Sequence, residues 1–457
     1  MASAAEQLVA NLNLDAFRSA KELHQRIWFT LGAMVVYRLG TYIPVPGIDP
    51  AAFQRAFQGQ ADGILGMFNT FSGGAVERMA IFALNVMPYI SASIIVQLMG
   101  TFYAPWEKLR KEGGEAGRKT LNQYTRYLTV VLSVFQSFGI AMGLSQSPGL
   151  VEAPGMFFTL STVVTLTGGS MFLMWLGEQI TARGIGNGVS LIIFAGIVAV
   201  LPKTIAQMMS LMELGTLSVA GVLVIAGLAF ALVVMIVFME RSQRRLLTQY
   251  PRRNQGGLAF GGESSFLPLK VNTSGVMAPI FASSLLMLPA TAVGLLAATE
   301  LPAWLDWLPA VSGSLQSGRP LFMVLYGGLI VFFCFFYTSV MFNPVEVADN
   351  LRKYGGFLPG LRPGRQTAEY LDFVMSRITV IGAVYITAVC LLPEALIGYY
   401  GMTFYLGGTS LLIVVSVTMD MVTAIQSHLV GHQYESLVRK TRLRGGARRD
   451  EARAALI

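Results

Sequence analysis

The stretch Thr216–Met239 reads TLSVAGVLVIAGLAFALVVMIVFM and contains no charged residue. About 20 predominantly apolar residues in an α-helix cross the hydrocarbon core of a bilayer. A run of this length without a charge is typical of a membrane span and not of a helix in a soluble core. The stretch therefore predicts a transmembrane helix.

The composition of the whole chain indicates the same class. Of its 457 residues, 54% are hydrophobic and 13% are charged, whereas soluble domains carry about 25% charged residues. So few charges cannot cover the surface of a soluble protein of this length. The two cysteines, Cys334 and Cys390, lie inside apolar runs, which excludes a disulfide framework. The sequence predicts a polytopic membrane protein.

Ten segments qualify as membrane spans. Seven are long and nearly free of charge: Met79–Trp106, Tyr127–Val151, Met156–Gly177, Thr216–Met239, Val271–Thr299, Leu321–Phe342 and Gly401–Met419. Three are weaker, because a charge, a glycine cluster or a short length interrupts them: Ile27–Ile43, Gly184–Pro202 and Ile378–Pro393. The predicted fold class is an all-α protein with ten transmembrane helices.

The positions of Lys and Arg support this count. If both chain ends lie on one side, 28 of the 33 basic residues fall in segments on that side and four on the other, with Arg38 inside a span. Cytoplasmic loops are enriched in Lys and Arg. The bias therefore predicts cytoplasmic N and C termini, and it suits contact with anionic membrane lipids.

The ten spans divide into two sets of five near residue 214. Because five is odd, the halves 27–214 and 215–428 must enter the membrane in opposite senses, an arrangement common in transport proteins. Residues 1–26 have the spacing of an amphipathic helix on the cytoplasmic face, and a free tail is the alternative. Residues 429–457 form a basic cytoplasmic tail.

The spans carry few ionisable residues. A secondary solute transporter with inverted halves, the main alternative function, usually holds such residues at the bilayer midplane. Here Arg38, Glu178 and Asp420 lie toward span ends. A membrane scaffold without transport activity is a further alternative.

Two pairs of branched apolar residues recur at helical spacing. Val86 with Ile90 and Val189 with Ile193 are each four residues apart, so each pair would share one helix face. Apolar constrictions can close a pore. The alternative is that these side chains pack or face lipid.

A short apolar segment lies in the external stretch Pro44–Arg78. Its sequence, Ile64–Phe71 or ILGMFNTF, is too short to span the membrane, and Ser72-Gly73-Gly74 follows as a stop or hinge. A short apolar helix must bury its side chains. It would either dip back into the protein or lie on the membrane surface.

Two cytoplasmic segments concentrate arginine. The first begins with ERSQRR at Glu240–Arg245, and the second contains PGLRPG at Pro359–Gly364. The Pro and Gly residues predict a turn that presents Arg362 at its tip. Such tips suit a large anionic partner, such as RNA or an acidic protein surface, and ordinary topology charge is the alternative.

Two stretches that resemble catalytic or cofactor-binding motifs are incomplete. The sequence GGEAGRKT at Gly113–Thr120 only imitates a phosphate-binding loop, because Arg118 follows the second glycine and no strand precedes it. His428 and His432 lack the glutamate of a zinc-protease motif. We predict that the protein is not an enzyme and needs no cofactor or metal.

At this point several stretches together carry a resemblance. The chain from about residue 20 to 440 resembles the SecY family, the central subunits of the bacterial protein-conducting Sec translocon. The stretches are MFNTFSGGA (Met67–Ala75), IFALNVMPYISASIIVQL (Ile81–Leu98), KEGGEAGRKTLNQYTRY (Lys111–Tyr127), GEQITARGIGNG (Gly177–Gly188), LPLKVN (Leu267–Asn272), NPVEVADN (Asn343–Asn350) and GGTSLLIVV (Gly407–Val415).

The resemblance implies two five-helix halves around a central pore. It implies a pore ring of branched side chains at Val86, Ile90, Val189, Ile193, Ile280 and Ile413. It implies a plug over about 64–74, with Ile64, Leu65, Met67, Phe68, Phe71, Gly73 and Gly74. It places Ser91, Gln97, Asn272 and Leu288 on the helices of a lateral gate that releases membrane segments into lipid. Asn85 departs from the family pattern, because a small residue is common at its position beside the ring.

The resemblance also implies partners and a location. Basic residues that dock the SecA motor ATPase and the ribosome would be Arg244, Arg245, Arg252, Arg253 and Arg362. SecE and SecG are the implied small membrane subunits, and signal peptides and nascent chains the implied clients. The implied location is the bacterial inner membrane.

Overall fold

The computed structural model describes residues 21–58, 64–111, 113–145, 149–151, 153–215, 218–250, 253–255, 258–260, 264–296, 319–400 and 407–430. Most of residues 1–26 and of the tail 429–457, together with Arg252, lie outside the described residues. For Ile64, Leu65, Met67, Phe68, Arg253 and Leu288 the structure describes the backbone only.

A helix occupies each of the ten predicted span positions. In chain order these helices are α1 (Lys21–Gly40), α4 (Met87–Phe102), α6 (Gly114–Ser145), α7 (Met156–Arg183), α8 (Gly188–Glu213), α9 (Val219–Arg241), α10 (Met277–Leu296), α11 (Pro320–Met341), α13 (Arg365–Tyr400) and α14 (Gly408–Val430). Within the part of the chain that the structure describes, four shorter helices lie between them: α2 (Pro50–Gln58), α3 (Ile64–Phe71), α5 (Ala104–Lys111) and α12 (Pro344–Lys353).

The lengths and composition of these helices indicate a multi-pass membrane protein. Within the described ranges, seven helices are long and apolar enough to cross a membrane, and two shorter apolar helices cover Met87–Phe102 and Met277–Leu286. Large apolar side chains are exposed along α9, among them Leu223 at 68% and Phe230 at 71%. In water this exposure would be costly, but a lipid environment accommodates it.

The second span begins later than the sequence predicts. Residues 79–86 form turns, and helix α4 starts at Met87 with Pro88 in its first turn. Met79 and Asn85 have positive φ angles of 43° and 50°, which an α-helix cannot contain. Proline favours the start of a helix because it lacks the N–H that would be unpaired there.

The all-α prediction misses one element, which follows α9. Four strands follow α9: β1 (Gln243–Gln249), β2 (Arg253–Gln255), β3 (Leu258–Phe260) and β4 (Ser264–Lys270). Strand β1 pairs antiparallel with β4, so that Gln243 lies opposite Lys270 and Gln249 opposite Ser264. Strands β2 and β3 pair in the same way nearer the tip. The basic segment after α9 is therefore a β-hairpin.

The largest hydrophobic core joins residues from both halves of the chain. It includes side chains of α4, α8, α10, α11, α13 and α14. Helix α10 packs against α4 and α6, α11 packs against α10 and α13, and the short helix α3 packs against α8. Helices that are distant in sequence therefore contribute to one core. The short helix α3 reaches this core through its contact with α8.

Candidate functional site

The six branched residues of the predicted ring belong to, or pack against, one large hydrophobic cluster. Five of them are nearly inaccessible in the same cluster: Val86, Ile90, Ile193, Ile280 and Ile413. Val189 is partly buried and packs against that cluster. These side chains come from α8, α10, α14 and the start of α4, so four parts of the chain converge on one apolar centre.

Two helix starts place the first four of these residues. Val86 caps the N-terminus of α4, and its carbonyl accepts a hydrogen bond from the backbone N–H of Ile90 at 3.1 Å. The Asn187 side chain caps α8 by accepting from the N–H of Val189 at 3.1 Å, a typical N-cap contact. Each pair therefore lies within the first six residues of a capped helix or at its N-cap.

The end of α3 belongs to the same core. Phe71 is 2% exposed and lies in the cluster with the ring residues. The Asn85 side chain donates a 2.7 Å hydrogen bond to the Phe71 carbonyl. A side chain at Gly196 of α8 would collide with that carbonyl. Asn85, which departs from the family pattern, therefore has a structural role, because its side-chain amide binds the last residue of α3.

Two arginines donate hydrogen bonds to the turn that follows α3. The Gly73 carbonyl accepts from Arg38 Nη1 at 2.6 Å and from Arg78 Nη2 at 3.1 Å. Both guanidinium groups also lie over the Tyr42 ring, 4.8 and 4.2 Å from its centre. Gly73 has a φ of +68°, a conformation that favours glycine. The predicted hinge is therefore a tight, fixed turn.

Glu77 connects three separate segments around this turn. Its side chain is 9% exposed and pairs with Lys203 Nζ of α8 at 2.6 Å. Gln54 of α2 donates to it at 2.9 Å, and Asn69 of α3 at 3.3 Å. In return, the Glu77 N–H donates to Asn69 Oδ1 at 2.9 Å. We call Gln54, Asn69, Glu77 and Lys203 the external latch.

The latch lowers the pKa of Glu77. Burial alone would raise this pKa, but the bonds from Lys203, Gln54 and Asn69 and the charge of Lys203 outweigh it. A lowered pKa in the folded protein means that the carboxylate stabilises the fold above its ordinary pKa. That contribution is lost only as pH falls through the lower, folded value.

We expect the Glu77→Gln variant to be less stable than the parent protein by about 1.5–3 kcal/mol, the range for hydrogen bonds to charged groups. The difference should be constant above about pH 5 and should shrink below about pH 4. Thermal unfolding of the purified protein across this pH range measures it. Glu77→Gln already removes the carboxylate that pairs with Lys203. Adding Lys203→Met to Glu77→Gln should therefore lower the stability little further. Additive losses would contradict the pairing.

A cavity of about 440 Å³ opens beside the latch. Its wall includes Arg38, Arg78 and Lys203, together with Asn69 and Thr70 of α3. One face of the short helix is therefore bordered by open space on the external side. Within the described residues, no group of three His, Cys, Asp or Glu side chains is placed to hold a metal ion.

The predicted gate residues with described side chains lie either on α4 or in the turn before α10. Ser91 and Gln97 lie on α4, which packs against α10, and Ser284 of α10 lies 3.8 Å from Met87 Sδ across that contact. Asn272 lies in the turn before α10 and not on the helix. There its amide donates to Glu240 at 2.6 Å and accepts from the Gly275 N–H at 2.9 Å.

Three of the predicted docking arginines are exposed. Arg244 and Arg245 are exposed on β1, and Arg362 is exposed in the turn between α12 and α13. The Arg362 carbonyl accepts from Thr367 Oγ1 at 2.9 Å. The tip is therefore anchored by its backbone while its guanidinium faces outward.

One acidic residue lies inside a helix and is buried, whereas the sequence places it beyond the end of a span. Helix α13 continues through Pro393 to Tyr400, so that Glu394 lies within it and is 4% exposed. The predicted span Ile378–Pro393 ends before this charge, whereas the helix continues past both residues.

Sequence reasoning missed the residues that hold α3 in place. Two signals were available: Arg38 is the charge inside a span, and Lys203 is a rare basic residue on the external side. Glu77 and Lys203 are 126 positions apart, and nothing in local sequence pairs them.

Comparison with known proteins bears on this arrangement. The SecY family model matches residues 80–422. The protein translocase subunit SecY of Vibrio cholerae serotype O1 is 51% identical over 437 residues, which cover 94% of this chain and 98% of that relative. The subunit of the same name from Escherichia coli K12 is 50% identical over 439 residues, with the same two coverages.

Solved structures share the fold. A structure described as a protein conducting channel superposes with a TM-score of 0.67 at 16% identity, covering 90% of this chain and 93% of that chain. Sec61 in the canine ribosome–channel complex gives a TM-score of 0.64 at 16% identity, with the same coverages. The long match to the family model and the two close relatives place this chain in the SecY family.

Proposed function

We propose that this chain is the channel subunit of a Sec translocon, which passes unfolded secretory polypeptides across the membrane. The observation that carries the proposal is the convergence of six branched side chains and Phe71 on one apolar centre. In this proposal the six side chains are the pore ring, and α3 with its following turn is the plug. The halves 27–214 and 215–428 form the two sides of the pore.

The chemistry of the ring suits such a substrate. A channel for unfolded chains meets every kind of side chain, so it should bind none of them strongly. Branched aliphatic groups offer neither charges nor hydrogen bonds, and they can close around a chain or against Phe71. The solute-transporter alternative calls for ionisable groups at the centre, and none of the six ring residues is ionisable.

The seam between α10 and α4 with α6 is the proposed lateral gate. Ser284 of α10 contacts Met87 of α4 across it, and Ser91 and Gln97 lie on α4. A few polar contacts in an apolar seam favour the closed state only modestly. Membrane segments and signal peptides would leave through this seam into lipid.

The proposed assembly contains SecE and SecG and works in the bacterial inner membrane, with both termini cytoplasmic. The chain itself carries out no chemical reaction. The SecA motor and the ribosome would dock on the basic hairpin and the Arg362 turn. The ribosome-bound states of canine Sec61 and of the yeast Ssh1 complex support a ribosome partner by analogy.

Reconstitution tests the proposal. The chain is co-purified with SecE and SecG, inserted into vesicles, and supplied with SecA, ATP and an unfolded polypeptide that carries a signal peptide. We expect the polypeptide to become protected from external protease only in vesicles that contain this chain. Equal protection in vesicles with SecE and SecG alone would contradict the proposal. Uptake of a small solute without polypeptide protection would favour the transporter.

A further inference from the structure

Three basic side chains border the cavity beside the external latch. Arg38 comes from α1, Arg78 from the segment before α4, and Lys203 from α8. Among the described residues of the cavity wall, Glu77 is the single acid, and it pairs with Lys203 at 2.6 Å. The two arginines therefore give the cavity a net positive charge.

The two arginines are held close together. Arg38 Nη1 and Arg78 Nη2 both donate to the Gly73 carbonyl, at 2.6 and 3.1 Å. Like charges this close repel each other. Among the described residues, no carboxylate forms an ion pair with either arginine. Burial lowers the pKa of Arg78, and the charge of Arg38 lowers it as well, so this pair lacks a compensating negative charge.

Both arginines keep hydrogen-bond donors for a ligand. A guanidinium group carries five N–H donors. The described bonds use three of these donors on Arg38 and two on Arg78. Their acceptors lie in Thr41, Tyr42 and Gly73. Because both arginines line the cavity, their remaining donors can serve a molecule that enters it.

The charge and the donors of the cavity favour an oxyanion. The planar fork of arginine matches the oxygen atoms of phosphate and carboxylate groups. A cation would be repelled by the two arginines, and an apolar group would leave their donors unpaired. The cavity volume of about 440 Å³ gives a phosphate group room together with water molecules.

We propose that this cavity binds an oxyanion of the phosphate class on Arg38 and Arg78, and that the bound anion stabilises the turn after α3. The anion offsets the repulsion between the two guanidinium groups while they hold the Gly73 carbonyl. Free inorganic phosphate and the phosphodiester of a lipid headgroup offer the same chemistry. The site requires no transport activity, so its test is separate from that of the proposed function.

Calorimetric titration tests the site in the full chain, purified with SecE and SecG in dodecyl maltoside, a detergent without phosphate. Sodium phosphate is compared with sodium chloride at equal ionic strength, because screening depends on ionic strength alone. We expect saturable binding of phosphate only. Arg78→Gln should weaken it about tenfold or more, the factor for one hydrogen bond to a charged group. Arg55→Gln is the matched control, since Arg55 is exposed on the external helix α2 and does not line the cavity.

Gln207→Glu changes the cavity without touching the turn. Gln207 lines the cavity from α8, and its added carboxylate should weaken phosphate by repulsion or by occupying the arginines. Gln207→Met is the neutral control and should bind phosphate as the parent does. The Gly74 N–H donates to the Asn69 carbonyl at 2.8 Å within the turn. Phosphate should slow hydrogen exchange of this amide severalfold.

Native mass spectrometry distinguishes the two sources of the anion. The complex is released from nanodiscs of phosphatidylglycerol, and the retained lipids are counted. Fewer retained lipids in Arg78→Gln than in Arg55→Gln would identify a lipid headgroup as the occupant. Equal lipid counts together with phosphate binding in detergent would identify the free anion.

Four results would overturn the proposal. Equal heats with phosphate and chloride, with equal lipid counts in the two arginine variants, would show that the cavity binds no oxyanion. An equal loss of phosphate affinity in Arg55→Gln and Arg78→Gln would place the anion elsewhere. Unchanged affinity in Gln207→Glu would do the same. Phosphate binding that depends on Arg78 but leaves Gly74 exchange unchanged would show that the anion does not stabilise the turn.

Discussion

Deleting residues 64–71 should raise the resting ion conductance of the channel severalfold while leaving the protein folded. Phe71 lies in the same hydrophobic cluster as the ring residues, so if α3 is the plug, its removal should open a path through the apolar centre. Burying a large apolar side chain is worth roughly 1.5–3 kcal/mol, so the closed state holds without being permanent. Single-channel recording in planar bilayers without substrate measures the conductance.

Gly196→Val tests the same closure by displacing α3 instead of deleting it. A side chain at Gly196 would occupy the place of the Phe71 carbonyl, so α3 must move away from α8. Gly227→Val is the matched control, because Gly227 lies in α9 with nothing within 4 Å of an added Cβ. We expect resting conductance to rise for Gly196→Val and to stay at the parent level for Gly227→Val.

Unchanged conductance in both the deletion and Gly196→Val would mean that α3 does not seal the centre. The external latch and the two arginines on Gly73 would then only brace the external surface. A rise in Gly227→Val equal to that in Gly196→Val would show that helix damage, and not displacement of α3, causes the leak.

Arg362→Glu should reduce SecA-dependent translocation by an order of magnitude or more. The guanidinium faces outward from a turn held by Thr367, and reversing its charge would repel an acidic partner. Arg362→Lys should recover only part of the activity, because lysine cannot form the bidentate contacts of arginine. Vesicle translocation assays with SecA and ATP measure the loss.

Arg365→Glu is the control for this charge reversal. Arg365 is three residues away, and its side chain is 92% exposed and pairs with Glu369. Exposed pairs of this kind contribute little to stability, so the variant should fold and translocate normally. Normal translocation by Arg362→Glu would contradict the docking role, as would an equal loss in Arg365→Glu.

The spans could be predicted because their signal is local and strong. Each needs only a long apolar run, and the charge bias fixes how many runs cross the membrane. The spacing of Val86 with Ile90 and of Val189 with Ile193 predicts that each pair shares one side of its chain segment. It could not show that α10 and α14 add Ile280 and Ile413 to the same cluster, which only the family resemblance implied.

The missed features depend on contacts between distant residues. Strands β1 and β4 are short and carry several polar residues, and their pairing becomes visible only when the hairpin closes. The late start of α4 depends on Asn85, whose left-handed backbone accompanies its bond to Phe71. The external latch likewise joins residues from three segments that no periodicity connects.

The most direct test of the central claim is to find what touches a polypeptide halted during translocation. Single cysteines replace ring residues such as Ile90, Ile193 and Ile413 in a chain whose Cys334 and Cys390 are changed to alanine. Val224, which is 70% exposed on α9, supplies the lipid-facing control. The account predicts disulfide cross-links from a cysteine in the halted polypeptide to the ring positions and none to position 224. Cross-links to position 224 but not to the ring would contradict it.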